Sequence, residues 1–470
     1  PSAPLVSVLD RAGRRGARRP FYGYVVLGLT LSTTAATSPG QSFVVGTFSD
    51  AIRADLGISL AGFSAAYMVA TFCASLPLTL VGRLGDRFGT RAVMAWLGLL
   101  LGVACGFIGL ATGVVAGLEL GEAAGRVVLL GTLGVAFFLL RFLGQGALGL
   151  VSSHALAMWF ERRLGIMESI RSLGMPLTMA VLPALLLGLI DAAGWRVAYA
   201  VLGVGVWVIV LPGALLAHVN RPEDVGQRLD GGEAGEGVAA GEAAAGVPDE
   251  DHGAPAARAP REGDQFTLRQ ALRTRAYWIV TASMVLSAAV GTAFVFHTQP
   301  MMHDLGLSRE VAAAAVGTLG VVSLVCTVPF GALTDRVRPS LLLAATGVLL
   351  ALACGCYAVA GRMGSFPVLG LEGTVVAAHA AYVMLALSQG LLFVMASPIF
   401  ARFFGRRHHG AIRGSLTTFM VVGTSVGPFV FAGWRDLVGD FGGAYLIAGA
   451  VSLGLAGWAL VLRRPGGVVG

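Results

Sequence analysis

The sequence predicts an all-α polytopic membrane protein of twelve transmembrane helices arranged as two parallel six-helix repeats. Three observations carry that prediction. First, 56% of the 470 residues are hydrophobic, only 13% are charged, and the mean hydropathy is +0.77; a soluble domain carries roughly a quarter charged residues. Second, the charges sit in short islands between apolar runs of the ~20 residues that a helix needs to cross ~30 Å of hydrocarbon. Third, the chain repeats itself.

The runs lie near 22–48, 61–84, 91–113, 128–157, 164–190, 196–218, 277–301, 309–333, 341–361, 372–403, 411–437 and 442–462. Each is continuously apolar and does not alternate with period two, which indicates helices and not barrel strands. The first follows R-A-G-R-R-G-A-R-R-P but is too long for a secretory leader and runs on into a second span. The chain has no lysine, so its 33 basic charges are all arginine, and 25 of them fall in segments on one side if the N-terminus is cytoplasmic. That bias predicts both termini in the cytoplasm. The +7 charge therefore reports topology. No basic patch interleaved with aromatics points to nucleic acid.

The repeat is visible residue by residue. D-L-G-I-S at Asp55–Ser59 returns as D-L-G-L-S at Asp304–Ser308, a displacement of 249 that also carries Gly82, Asp86 and Arg87 onto Gly331, Asp335 and Arg336. A displacement of 244 carries Gln145-Gly146 onto Gln389-Gly390 and Trp159-Phe160 onto Phe403-Phe404. Two halves of the same orientation are a transporter pattern. The expected organisation is a basic tail at 1–20, a six-helix bundle at 21–219, a cytoplasmic linker at 220–265, a second bundle at 266–464 and a tail at 465–470. The linker is rich in Gly, Ala and acids and is expected to be disordered.

Between the second and third spans stands G-R-L-G-D-R-F-G-T-R, Gly82–Arg91, with G-A-L-T-D-R-V-R-P in the matching place of the other half. With R-F-L-G-Q-G-A at Arg141–Ala147 and G-T-S-V-G-P at Gly423–Pro428, the chain resembles the major facilitator superfamily along nearly its whole length. The resemblance implies a gating latch made of Gly82, Asp86, Arg87, Arg91 and Glu161, with Asp335 and Arg336 as its second copy. It also implies a helix-packing role for Gly423, Gly427 and Pro428. F-Y-G-Y-V-V, H-V-N-R-P-E-D-V-G and F-H-T-Q-P-M-M-H-D-L-G-L-S are similar to the oxalate/formate antiporter-like and monocarboxylate porter-like branch, which moves small carboxylates.

An arginine near the middle of a span costs at least ~2.5–3.5 kcal/mol, so Arg141 needs an internal partner or a cavity. On a regular helix Arg141, Gln145 and Ser152 share one stripe, as do Thr30, Thr34, Thr37 and Gln41 on the first span. Ser38-Pro39-Gly40 interrupts that span, and a broken helix frees backbone groups for a ligand. No acid stands at the same depth as Arg141, because Glu168 is nearer the cytoplasm with Arg171 as its local partner. The site is therefore expected to be cationic and to take a carboxylate on the guanidinium fork. Arg141 bracing the fold through carbonyls or Gln145 is the alternative. Tyr67, His297 and Gln389 complete the candidate lining.

These readings predict a secondary active transporter of a small organic anion, working by alternating access and coupled to protons or to a second anion. The alternatives left open are proton-coupled efflux of drug-like compounds and a receptor that does not transport. Expected partners are the solute and the lipid bilayer, with no nucleic acid and no second copy of the chain required. No enzyme activity, cofactor or metal is expected, since no nucleophile with its base and no ligand cluster occurs in the spans, and the five cysteines read as packing residues.

Overall fold

The structure, a computed structural model, describes residues 21–118, 121–160, 163–231, 266–363, 367–368, 371–404 and 409–462. Both tails, linker residues 232–265 and Glu161 lie outside the described residues, as do the side chains of Gly82, Asp86 and Asp335.

The described residues are almost wholly helical. The N-half contains α1 (Gly23–Ala36), α2 (Ser42–Leu56), α3 (Leu60–Ser75), α4 (Leu78–Phe88), α5 (Thr90–Ala116), α6 (Glu122–Leu140), α7 (Gly149–Ala157), α8 (Leu164–Ser172), α9 (Gly174–Ala193) and α10 (Trp195–Pro212). The C-half contains α11 (Arg275–Phe296), α12 (Thr298–Asp304), α13 (Arg309–Arg336), α14 (Pro339–Met363), α15 (Gly373–Phe404), α16 (His409–Val438) and α17 (Gly442–Leu460), with a small antiparallel hairpin at Pro367–Val368 and Leu371–Glu372. Nine helical stretches among the described residues are continuous and apolar enough to cross a bilayer. The other three expected spans are the α1/α2 and α3/α4 pairs, each interrupted by a proline segment, and α16. Bilayer-facing residues such as Trp96, Leu110, Val208 and Phe393 are exposed and apolar. That is favourable only in lipid, so this is a multi-pass membrane protein.

The repeated D-L-G-x-S has a physical cause. Gly57 (φ +64°) and Gly306 (φ +71°) end α2 and α12 in the left-handed region, where a side chain is strained. Two residues on, Ser59 Oγ accepts the Gly62 N–H at 3.1 Å and Ser308 Oγ accepts the Val311 N–H at 3.5 Å, capping α3 and α13. One five-residue phrase stops a helix and starts the next in both halves.

The face at which α1 begins is called the near face and its opposite the far face. Among the described residues, the broad contacts between halves are α9 on α13, α3 on α16, and α2 on α11 and α12. Glycines allow the close approach: a Cβ at Gly320 would strike α9 at Ala180 and Pro176, and one at Gly46 would strike the Phe296 and Val295 carbonyls. Phe63 and Tyr67 of α3 lie 5.6 and 4.3 Å from the Phe296 ring, and Arg309 reaches Asp191 across the halves at 2.7 Å. The near-face segments α4, α7 and α8 make no comparable packing with the C-half among the described residues. The arrangement is closed at the far face.

Asp50 sits in that closure with Arg53 at 3.1 Å.

At the near face, residues 217–231 fold back over the bundle and do not hang as a tether. Asn220 Oδ1 accepts the Arg91 N–H at 2.9 Å and the Thr90 hydroxyl at 3.2 Å, so it caps α5 from the non-helical segment that follows α10, and His218 Nε2 bonds the same hydroxyl at 2.8 Å. Trp159 Nε1 donates to the Val219 carbonyl at 3.1 Å, and the Tyr22 N–H donates to Gln227 at 2.9 Å. The ordered start of the expected linker follows from these anchors and from Val219 and Pro222, which are buried. Losing a cap acceptor costs ~1 kcal/mol. Asn220→Ala should therefore lower the melting temperature, while Asn220→Asp, which keeps the oxygen, should not.

Candidate functional site

The site grows out of two breaks in helix geometry that meet. Pro39 lacks an N–H, so the first span cannot run through it as a regular helix. A 3₁₀ turn at Ser38–Gly40 joins α1 to α2 instead. Opposite it, residues Arg141–Leu148 form a π-helical stretch between α6 and α7, a widening that recurs at functional positions. The two touch through glycines. A Cβ at Gly40 would strike the Leu140 carbonyl, and one at Gly144 would lie 3.1 Å from the Gly40 backbone.

Arg141 occupies this crossing and is buried at 3% exposure. Its Nη1 donates to the Gly40 carbonyl at 3.0 Å and to Ser42 Oγ at 3.3 Å, its Nε donates to Thr71 Oγ1 at 3.1 Å, and its guanidinium carbon lies 4.9 Å from the centre of the Tyr67 ring. The Tyr67 hydroxyl bonds Ser42 at 2.7 Å and closes the ring of partners. The carbonyl freed by the broken helix is thus used by the buried cation. No carboxylate pairs with Arg141 among the described residues, and these bonds leave Nη2 unused.

The expected stripe does not survive, because the π turn changes the register. Arg141 turns into the bundle, Gln145 is exposed, and Ser152 is buried with its hydroxyl on the Thr30 carbonyl at 2.9 Å. On the first span Gln41 Nε2 reaches Thr37 Oγ1 at 3.3 Å, and Thr34 Oγ1 lies 3.4 Å from Ser152 Oγ. A second polar cluster, which the sequence reading left aside, stands nearer the near face. Arg171 of α8 donates Nε to Glu168 at 2.8 Å and Nη1 to Thr34 Oγ1 at 2.6 Å, while Ser153 of α7 donates to Glu168 at 3.1 Å. The signal for it was the Glu168/Arg171 spacing beside Thr34, invisible until α1, α7 and α8 pack together.

The C-half candidates are placed differently. Gln389 donates to the Ser287 carbonyl at 2.8 Å and fills the space over Gly291, so it differs from its exposed mate Gln145. His297 is wholly buried in the far-face closure, its Nε2 donating to the Pro428 carbonyl at 2.7 Å and its ring 5.2 Å from Phe441. Gly423 and Gly427 set α16 against α11 at the Val285 and Ala289 carbonyls. Of the latch, Arg87 is exposed with its guanidinium 5.2 Å from the Phe88 ring, Arg336 is exposed, and Arg91 is bound to the Leu215 carbonyl in its own half.

Residues 30–378 and 298–469 match the family model described as Major Facilitator Superfamily. The chain belongs to that superfamily. No curated protein matches it. Among solved structures it is similar to the nucleoside transporter NupG, at 12% identity over 94% of this chain and 98% of that one, with a TM-score of 0.63. It is also similar to a D-xylose-proton symporter (13% identity, 93% and 97% covered, TM-score 0.61) and to a bacterial homolog of the human lysosomal transporter Spinster in an inward-facing, occupied conformation (15%, 95% and 95%, 0.59). At such identities these likenesses show the major facilitator fold, the fold of secondary active transporters that bind small solutes within the membrane. Membership of the Major Facilitator Superfamily is what indicates a transporter.

A groove of 530 Å³ between α3 and α6, lined by Gly62, Ala66, Gly131 and Gly134 among other apolar groups, has almost no polar surface. It fits lipid and has nothing to recognise a polar solute. Among the described residues no three His, Cys, Asp or Glu side chains converge as metal ligands.

Gly40→Ala would drive a methyl into the Leu140 carbonyl and separate the two breaks. Overpacking of this kind costs ~1–3 kcal/mol, so a lower melting temperature is expected, with no loss for Gly28→Ala, which stands inside α1 where the space is open.

Proposed function

We propose that the chain is a secondary active transporter of a small organic anion, a carboxylate by preference, in a bacterial inner membrane with both termini in the cytoplasm. The observation that carries this reading is Arg141, a buried guanidinium with only uncharged partners among the described residues and with Nη2 unused. An uncompensated cation in a low-dielectric centre is stabilised by an anionic ligand, and the guanidinium fork matches a carboxylate. Exposed Gln145, whose main chain lies against Gly40 next to Gln41, would supply neutral donors and acceptors to orient it. With the near face cytoplasmic, closure at the far face corresponds to an inward-facing state. Asp86, Arg87 and their repeat mates Asp335 and Arg336 would latch the near face in the opposite state.

A second reading is a neutral hydroxylated solute driven by protons, favoured by the nucleoside and D-xylose named for the structural relatives. Counterflow in proteoliposomes separates them. Mono- and dicarboxylates should exchange while xylose and uridine do not. Arg141→Gln should abolish that exchange with normal membrane insertion. Unchanged exchange in that variant would remove Arg141 from the site, and exchange of the neutral solutes alone would select the second reading.

A further inference from the structure

The start of the C-half carries a basic cluster whose counter-ions the protein does not supply. Arg269, Arg273 and Arg275 are exposed, and none has a hydrogen-bond or ion-pair partner among the described residues. Arginines at the far face are treated differently: Arg53, Arg126, Arg196, Arg309 and Arg435 each pair with a carboxylate at 2.6–3.1 Å. Local structure turns the three side chains outward. A single helical turn at Leu268–Ala271 is capped reciprocally, Gln270 Oε1 accepting the Thr267 N–H at 2.8 Å and Thr267 Oγ1 accepting the Gln270 N–H at 3.4 Å. Phe266 and Ala271 are buried, and the Phe266 N–H donates to the Phe404 carbonyl at 3.0 Å, so the apolar side of the segment is pinned to the bundle. Trp278 marks the depth. Its ring is 48% exposed although its Nε1 donates to the Leu272 carbonyl at 2.8 Å, and it lies 5.7 Å from the Phe419 ring of α16. The boundary between headgroups and acyl chains favours an exposed indole of this kind. Arg275 lies one turn before Trp278 on the same face of α11, and Arg273 follows the residue whose carbonyl holds the indole. Beyond Phe419, Val422, Val426 and Val430 form an exposed stripe at i, i+4 and i+8 that continues to Leu437. The stripe runs past the level at which the far face is closed, so it faces the bilayer and not the space between the halves.

We propose that Arg269, Arg273, Arg275 and Trp278 form a docking site for an anionic phospholipid of the near-face leaflet, with its phosphate on the guanidinium groups and one acyl chain along the stripe from Phe419 to Val430. Guanidinium forks match phosphate oxygens, and a basic cluster beside the end of a membrane helix attracts lipids of net negative charge. The two parts of the surface call for one molecule that carries both chemistries. A soluble phosphate would satisfy the arginines and leave the stripe to any neighbour, whereas a zwitterionic lipid would cover the stripe without net charge for the arginines. The bound lipid holds the first turn of α11 at a fixed depth, beside the Tyr277–Ser415 hydroxyl bond of 2.7 Å that ties α11 to α16. The site does not depend on which solute is carried.

The test uses the full chain in phosphatidylcholine vesicles with phosphatidylglycerol brominated on its acyl chains, which quenches a nearby indole. The Trp278 signal is the difference between the parent and Trp278→Phe. That signal should be quenched at a fraction of brominated phosphatidylglycerol about tenfold or more below the fraction of brominated phosphatidylcholine that has the same effect. Changing all three arginines to Gln should remove the preference, and each single change should weaken it by up to about fivefold, the pull of one basic residue at an anionic surface. Arg362→Gln, at the far end of α14, should leave it unchanged. If the triple Gln variant does not insert, the triple Lys variant should retain the preference, and raising salt from about 0.05 to about 0.5 M should reduce it in the parent. Equal quenching by the two lipids in the parent, a preference that survives the triple Gln variant, or one that salt leaves untouched would overturn the site. Displacement of the brominated lipid by soluble glycerol phosphate would overturn it as well, since it would identify a site for a free phosphate.

Discussion

The interaction on which the N-half depends is the housing of one guanidinium in hydrocarbon. Arg141 cannot be neutralised by a carboxylate among the described residues, so the fold provides oxygen atoms and an aromatic face instead: a main-chain carbonyl, two hydroxyls and the Tyr67 ring. The carbonyl exists as a free acceptor only because Ser38-Pro39-Gly40 breaks the first span, and Arg141 reaches it only because the π stretch rotates the fourth span. Gly40 and Gly144 bring the two breaks within contact. Removing any one of these features leaves a charge without its partners, which costs far more in a membrane than at a surface.

That housing stands next to the closure between the halves. Tyr67, which lies under Arg141, also packs on Phe296 of α11, and Ser42 begins the helix that packs against α11 and α12. A ligand that drew Arg141 away from Ser42 or Tyr67 would act directly on groups that seal the far face. Small changes at a polar centre are expressed at interfaces because packed surfaces have few alternative arrangements. At the near face, the Asn220 cap and the Trp159 bond tie α1, α5, α7 and the end of α10 into one block. A block of that kind moves as a rigid body.

Much of the architecture was legible because membrane solvation imposes long apolar runs and duplication leaves matching punctuation. Gly57 and Gly306, with Ser59 and Ser308, read the same way in sequence and in space, since helix stops and caps are local chemistry. The break at Pro39 was legible for the same reason. The stripe of Arg141, Gln145 and Ser152 was not, because a π stretch leaves no reliable mark in composition and shifts every later residue around the helix. His297 looked like a lining residue and is a buried donor to Pro428, a contact made 131 residues away in the chain. Glu168 was legible as half of a local pair, but its second partner on α7 and the grip of Arg171 on α1 depend on tertiary packing. The segment after α10 reads as polar linker; its order comes from single anchoring residues that an averaged composition hides.

The account turns on two rigid halves that open one face as they close the other about the Arg141 crossing. Double electron–electron resonance on two spin-label pairs in the same protein measures this directly, one pair joining the near ends of α4 and α16 and one joining the far ends of α2 and α13. On adding a transported solute or changing pH, the account predicts that the near-face distance shortens while the far-face distance lengthens. Distances that stay fixed, or that change at both faces in the same direction, would contradict it.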